Sequence, residues 1–335
     1  MKIVLFSADE AETAKAVSAL DPAFTIVRVA EPITAEIVDA YADADIVSGF
    51  AGSDFSAAIL ARLPRLRFIA IRATGFDSVD LAYCRARGIQ VSNVPVYGDS
   101  TVAEHVFGLL LALSRWTVPC AEATRRGDFA YSPPRGFELR GKIFGAVGTG
   151  HIGRRAIEMA QGFGMPVIAY DAFPAPALRD APNVRYAPLD DLLAQADIVS
   201  LHVPATPETD GMIGERQFAG MKRGAVLINT ARGQVVDNAA LLRALETGHL
   251  AAAGLDVLPD ESLLRRPATL FAPDASADPA TLRDVLAARV LASLPNVIVT
   301  PHNAYNTAEA FQRIVQTTAA NIRAFAQGNP VNLVT

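Results

Sequence analysis

Residues 142–153 read Lys142-Ile143-Phe144-Gly145-Ala146-Val147-Gly148-Thr149-Gly150-His151-Ile152-Gly153, and the helix-forming stretch 154–163 follows. A short apolar run enters a G-x-G-x-x-G string, and an amphipathic segment leaves it. The string alone is weak, because Gly-rich turns match it by chance; a strand before it and a helix after it give it a mechanism. Gly148 permits the tight turn, Gly150 lets a pyrophosphate touch the backbone, and Gly153 lets helix and strand pack closely. The helix N-terminus offers unpaired N–H groups and the positive end of its dipole to phosphate. The next expected strand, 167–170, ends at Asp171. A carboxylate about 20 residues past the glycines is placed to accept hydrogen bonds from a ribose diol and to repel a 2′-phosphate. The stretch reads as a nucleotide-binding βαβ unit that takes NAD rather than NADP. The plainer alternative is a structural turn with an ordinary surface aspartate. His151, within the loop, is read as facing solvent or phosphate, without a catalytic role.

Outward from this unit, β-branched runs alternate with helical patterns, which signals α/β layers with parallel sheets. Upstream, strands are expected at 2–6, 45–48, 66–72 and 88–92, with helices at 11–20 and 57–63. A long helix is expected over 99–116. Thr101-Val102-Ala103-Glu104 fits a capping box, and Val102, Val106, Leu109, Leu110 and Leu113 recur at helical spacing as a buried stripe. Downstream, strands are expected at 143–147, 167–170, 198–201, 225–229, 252–255 and 297–300, with helices between them and a closing helix at 307–326. Residues 261–292, rich in Pro and Asp, read as irregular.

The 335 residues are 51% hydrophobic and 19% charged, enough apolar mass for two cores. A net charge of −5 gives no concentrated basic face, so neither nucleic acid nor a membrane surface is an expected partner. The pairs Arg125-Arg126 and Arg265-Arg266 read as solvated surface. Two cysteines, Cys84 and Cys120, have no ligand spacing, so no metal is expected, and their scarcity fits a reducing compartment. The N-terminal apolar run is too short for a signal peptide, and no stretch reaches the about 18 apolar residues of a membrane span. A cytoplasmic protein is expected.

Three side chains follow expected strands at the sheet edge where open α/β sheets bind ligands. Arg232 follows strand 225–229, Glu261 follows strand 252–255, and His302 follows strand 297–300. Arg can clamp a carboxylate through two parallel charge-assisted bonds. Reduction of a 2-oxo acid builds negative charge on oxygen, to which a histidinium can donate a proton. A neighbouring carboxylate favours that charged imidazole and fixes its tautomer. Singly, the three also read as a surface salt bridge, a solvated loop acid and a helix-proximal histidine, and spacing alone does not prove that they converge.

At these residues the chain resembles the D-2-hydroxyacid dehydrogenase family over nearly its whole length. The resemblance rests on Arg72-Ala73-Thr74-Gly75-Phe76-Asp77, Thr101-Val102-Ala103-Glu104-His105, the 148–153 loop, Leu201-His202-Val203-Pro204-Ala205-Thr206-Pro207-Glu208-Thr209, Asn229-Thr230-Ala231-Arg232-Gly233, Gly254-Leu255-Asp256-Val257 and Thr300-Pro301-His302, all in family order. It implies two doubly wound parallel-sheet domains: a flavodoxin-like substrate domain from 1–100 and 303–335, and a Rossmann-type NAD domain inserted at 101–302, with the site in the cleft. Carried over, Arg232 anchors the substrate carboxylate, His302 is proton donor and acceptor, and Glu261 is its partner. The backbone of Thr74 and Gly75 is a second carboxylate anchor. Cofactor contacts are implied for Gly148, Thr149, Gly150, His151, Ile152, Gly153, Asp171, His202, Val203, Pro204, Thr230, Ala231 and Asp256, the last toward the nicotinamide amide.

Within the family the chain most resembles the fermentative D-lactate dehydrogenase branch, through Gly-Thr-Gly-His-Ile-Gly, through Tyr305 after the histidine, and through the long 261–295 connection. Phe50, Tyr97 and Tyr305 fall where that branch sets aromatics around the substrate side chain, leaving room for a methyl or slightly more; each ring reads equally as core packing. The same motifs accommodate relatives acting on glyoxylate or hydroxypyruvate, on 2-hydroxyisocaproate or phenylpyruvate types, and regulators that sense NAD without catalysis. A homodimer is implied by the family. Leu258, Pro259 and Ser262 depart from the usual wording around Glu261, which puts its placement in question.

Overall fold

The computed structural model describes residues 1–8, 10, 14, 18, 20–50, 52–179, 181–265 and 278–334. It divides into two compact units, one of Met1–Tyr97 with Asn306–Thr335 and one of Gly98–Tyr305, so the second interrupts the first along the chain. The helix expected over 11–20 lies largely outside the described residues.

The first unit holds five parallel strands: β1 (Lys2–Leu5), β2 (Thr25–Arg28), β3 (Ile46–Gly49), β4 (Phe68–Ile71) and β5 (Gln90–Ser92), ordered β2-β1-β3-β4-β5. That is the flavodoxin-like order of a doubly wound sheet. β3 and β4 are buried at every position, as befits strands covered on both faces. Val4, Val47, Ile69, Val91, Phe55 and Leu60 fill one side; Ile3, Ile46, Phe68 and Ala70 fill the other, with Ala319 and Ile322 of the closing helix Ala308–Ala326. Thr307 caps that helix by accepting from the Ala310 amide.

The second unit holds seven parallel strands: β6 (Phe144–Val147), β7 (Val167–Tyr170), β8 (Val184–Tyr186), β9 (Ile198–Leu201), β10 (Ala225–Asn229), β11 (Leu250–Leu255) and β12 (Val297–Val299). Their order, β12-β11-β10-β9-β6-β7-β8, reverses direction between β6 and β9. This is a Rossmann-type order extended by one strand, with the switch point beside β6. One core fills around Leu227, Leu241, Leu192 and Phe218, the other around Leu110, Phe144, Ile157 and Val226. Among the described residues no single helix is long and apolar enough to cross a membrane.

Two local expectations are corrected. The long helix spans Asp99–Ser114 with Gly98 at its N-cap, so Thr101 is an interior residue, 6% exposed, and the Thr101–Glu104 capping box does not form. Asp99 supplies the acid of the first turn instead. Nor is 261–292 irregular throughout: Glu261–Arg265 and Pro279–Leu291 are helices. Asp278 caps the second by accepting from the Ala280 and Thr281 amides, and Pro279 occupies the first turn. Asp278 and Pro279, two of the residues that suggested irregularity, are helix-start signals, and residues 266–277 lie outside the described residues.

Candidate active site

Arg232, Glu261 and His302 leave the C-terminal ends of β10, β11 and β12, three neighbouring strands in parallel register. Adjacent strands lie about 4.8 Å apart, so the topology delivers the three loops to one edge of one sheet. The imidazole Nδ1 of His302 lies 3.0 Å from each carboxylate oxygen of Glu261. A carboxylate only accepts, so Nδ1 carries the hydrogen, and Nε2 is the ring nitrogen not engaged by Glu261. The unusual wording at Leu258, Pro259 and Ser262 leaves Glu261 on its partner. Arg265, one turn further on, approaches the same carboxylate at 3.2 Å.

The Arg232 loop is held by Asn229, whose Nδ2 donates to the Arg232 carbonyl at 2.9 Å and whose Oδ1 accepts from the Ala231 amide at 3.0 Å. Gly233 sets its approach: a Cβ there would lie 2.1 Å from the Leu258 carbonyl carbon. The backbone after Arg232 thus lies directly on the segment that leads into Glu261, and no larger residue permits that packing.

His302 sits at a φ of 55°, in the left-handed region, where a non-glycine residue persists only when its surroundings impose it. Asp256, at the end of β11 and 1% exposed, imposes it. Its carbonyl accepts from the His302 amide at 2.8 Å. Its Oδ1 accepts from the Asn303 amide at 2.8 Å and its Oδ2 from the Ala304 amide at 2.9 Å. Burial raises the Asp256 pKa, but hydrogen bonds from His105, Thr300, Asn303 and Ala304 outweigh it and hold the group below the ordinary carboxylate range. The sequence motifs name Asp256 but not this wrapping, which depends on where a distant helix and loop come to rest.

At the switch point, Gly148 has a φ of 101°, and a Cβ on it would meet the His202 carbonyl at 2.7 Å. A Cβ on Gly153 would lie 2.1 Å from the Gly148 oxygen. Around Gly150 an added Cβ would meet nothing within 4 Å. Gly150 is the N-cap of the helix His151–Gly162, whose first turn carries no acid and no side-chain cap. The geometry fits a pyrophosphate seated on that N-terminus. Asp171 follows β7; its Oδ2 accepts from the Thr149 amide at 2.5 Å and the Thr149 hydroxyl at 2.9 Å, and its Oδ1 from the Phe173 amide at 2.8 Å. Tyr186 donates to the same Thr149 hydroxyl at 3.0 Å, a contact the sequence does not announce. His151 approaches Asp99 at 3.3 Å and is more than half exposed. His202 follows β9; both its ring nitrogens are buried and without a hydrogen-bond partner among the described residues, and burial lowers its pKa to about 4. Val203 and Pro204 continue that loop, and Thr230 and Ala231, both buried, open the one after β10.

In the first unit, Phe50 directly follows β3, Thr74 and Gly75 follow β4, and Tyr97 follows β5, again at C-terminal strand ends. An amide chain holds the Thr74 loop: Asn332 donates to Asn321, Asn321 to the Asn93 carbonyl, and Asn93 to the Thr74 carbonyl, at 2.8, 2.8 and 2.7 Å. The Tyr97 carbonyl accepts from Arg313 at 2.7 Å, and the Arg72 guanidinium lies 6.0 Å from the Phe50 ring centroid. Tyr305 belongs to the second unit, half-buried beside the His302 loop.

A Gly-rich turn at the switch point of a Rossmann-type sheet, with an acid-paired imidazole on the same sheet edge, defines an NAD-dependent oxidoreductase. Residues 107–304 match the family model described as D-isomer specific 2-hydroxyacid dehydrogenase, NAD binding domain. The chain is 41% identical over 281 residues to a glycerate dehydrogenase of Methylorubrum extorquens, covering 82% of this chain and 81% of that one. It is 37% identical over 310 residues to a glyoxylate reductase of Korarchaeum cryptofilum, covering 91% and 87%. Its fold matches a D-lactate dehydrogenase of Aquifex aeolicus, solved with NAD and lactic acid, at a TM-score of 0.86 and 33% identity, covering 98% and 99%. The chain belongs to the D-isomer specific 2-hydroxyacid dehydrogenases: it is an NAD-dependent oxidoreductase acting on the CH–OH group of small 2-hydroxy acids.

Proposed function

We propose that this enzyme reduces a short-chain 2-oxo acid, pyruvate foremost, to the D-2-hydroxy acid, with His302 as the acid. The observation that carries the reading is the Glu261–His302 pair, with both carboxylate oxygens 3.0 Å from Nδ1. Bound NADH supplies the reducing equivalent at C2 of the substrate. Arg232 clamps the substrate carboxylate, with the Thr74 and Gly75 backbone as second anchor. The Nε2 proton of His302 passes to the carbonyl oxygen as charge develops there, and Glu261 compensates the imidazolium present before that transfer. The Gly148–Gly153 turn holds the pyrophosphate, Asp171 the adenosine ribose, and Thr230, Ala231, Val203, Pro204 and Asp256 line the nicotinamide end. The family resemblance assigns Phe50, Tyr97 and Tyr305 to the substrate side chain, and that assignment favours a methyl.

A second reading, hydroxypyruvate or glyoxylate as substrate, is favoured by the 41% and 37% identities to glycerate dehydrogenase and glyoxylate reductase. Following NADH oxidation with pyruvate, glyoxylate, hydroxypyruvate, 2-oxoisocaproate and phenylpyruvate decides between them. The highest kcat/KM is expected for pyruvate; a tenfold preference for hydroxypyruvate overturns that choice, and NADH binding without any turnover overturns catalysis altogether. The domain division of the family, 1–100 with 303–335 and 101–302, is retained as a proposal. A cytoplasmic location is proposed on two free cysteines, which suit a reducing compartment. A homodimer is proposed because Leu111, Val118, Phe129 and Tyr131 leave apolar surface exposed on the nucleotide-binding unit. Sedimentation equilibrium at twice the monomer mass is the expected result.

A further inference from the structure

His105 lies on the helix Asp99–Ser114, 195 residues before Thr300 in the chain. Its Nε2 is 3.0 Å from the Thr300 hydroxyl and 3.4 Å from Asp256 Oδ1. Thr300 Oγ1 lies 2.5 Å from the same Oδ1. Proton bookkeeping orients this chain. Asp256 is ionised and only accepts, so the Thr300 hydroxyl spends its one hydrogen on Oδ1. The lone pair that Thr300 turns to His105 then requires a hydrogen on Nε2. A buried carboxylate is tolerable only when fully hydrogen-bonded. Asp256 meets that demand with Thr300, the amides of Asn303 and Ala304, and the His105 side of the network. The same aspartate carries the His302 amide on its carbonyl, at the residue with φ 55°.

We propose that His105 is a positioning residue: its Nε2–H, relayed by the Thr300 hydroxyl, fixes the Asp256 carboxylate, and through it the left-handed kink that aims the His302 ring. The chemical part rests on the acid role of His302 proposed above. The structural part does not, and the two are read separately.

In the apoprotein, hydrogen exchange of a peptide spanning 300–304, followed by mass spectrometry, reports the Asn303 and Ala304 amides that Asp256 protects. His105→Ala is expected to accelerate that exchange at least tenfold while the peptides of the β6–β7 region stay unchanged. His105→Gln keeps an N–H near the position of Nε2 and is expected to restore protection. Thr300→Val breaks the relay from its other end and is expected to match His105→Ala, with the double variant no worse than either single one. In turnover with the best acid of the panel, His105→Ala is expected to lower kcat about 10- to 100-fold, the scale of an ångström of misplacement. The Kd for NADH is expected to stay within about twofold, with a larger isotope effect from 4-deuterated NADH. Unchanged exchange at 300–304 in both His105→Ala and Thr300→Val overturns the proposal even if activity falls. A lowered melting temperature with unaltered kcat and exchange assigns His105 to packing and overturns it too. If no acid is turned over, the exchange result still decides the structural part, while the chemical function fails on its own.

Discussion

His302 shows how much of this site is built by backbone rather than by side-chain identity. A histidine at positive φ costs on the order of 1–3 kcal/mol, and three amides closing on one buried aspartate hold it there. Glu261 then fixes which ring nitrogen stays free. Replacing His302 with Ala removes the proposed acid and leaves the proposed binding groups, so kcat is expected to fall about 10²- to 10⁴-fold with little change in the Kd for NADH. Stopped-flow NADH oxidation with fluorescence titration checks both, and an unchanged kcat removes His302 from the chemistry. Arg232 separates from it kinetically. A lost charge-assisted pair is worth about 1.5–3 kcal/mol, so Arg232→Gln is expected to raise KM for the oxo acid about 10- to 100-fold. Arg232→Lys is expected to recover only part of this, because an ammonium cannot form the parallel two-bond clamp. A KM within twofold of the parent in both variants would place the carboxylate elsewhere.

The element to which we assign cofactor choice is the end of β7. Asp171 is held by the Thr149 amide and hydroxyl, and Tyr186 holds Thr149. Asp171→Gly removes the charge that repels a 2′-phosphate. The ratio of NADPH to NADH affinity is expected to rise at least tenfold, with Tyr186→Phe giving a smaller shift in the same direction, both read by fluorescence titration. A ratio unmoved in Asp171→Gly would take the discrimination away from β7. This strand was legible in the sequence, as were β9 and β10, because strands buried on both faces spell unbroken apolar runs such as Val167-Ile168-Ala169-Tyr170. The two strands left unread are β2 and β8, and each is the edge of its sheet. Their short, half-exposed sequences, Thr25–Arg28 and Val184–Tyr186, contain no buried position, so no apolar pattern marks them. The helix Thr117–Arg125 also escaped: a proline, Pro119, stands in its first turn, and the left-handed backbone of Trp116, φ 54°, that separates it from the long helix is not written in any local pattern. In the site, the ends of β10, β11 and β12 could be matched to Arg232, Glu261 and His302. Their proximity could not, because it follows from strand order, which no local pattern states.

At the scale of the whole molecule, His202, whose two ring nitrogens are buried, is expected to tie folding to pH. It follows β9, and its carbonyl lies under Gly148, so it sits where the Gly-rich turn closes on the sheet. Neither ring nitrogen has a hydrogen-bond partner among the described residues, and burial lowers the pKa to about 4. In the unfolded chain the same imidazole titrates near 6.5. Between these values the unfolded chain binds a proton that the folded one refuses, so stability rises with pH across that window and falls as the solution is acidified. Above about 6.5 both states are neutral and the group contributes no slope. The full difference amounts to about 3–4 kcal/mol at most. Urea unfolding of the apoprotein, followed through the nucleotide-binding unit, is therefore expected to show a midpoint that holds from pH 8 to 7 and drops steeply from pH 6.5 to 4.5. His202→Gln carries no titrating group, so the steep part is expected to flatten even if that variant is less stable at pH 7. The comparison needs NADH absent throughout, since a ligand that binds only the folded state adds its own concentration-dependent term. An acid slope equally steep in parent and variant would mean that His202 is protonated in the folded chain or reaches water, and that carboxylates such as Asp256 and Asp197, whose pKa values are lowered on folding, set the acid limit instead.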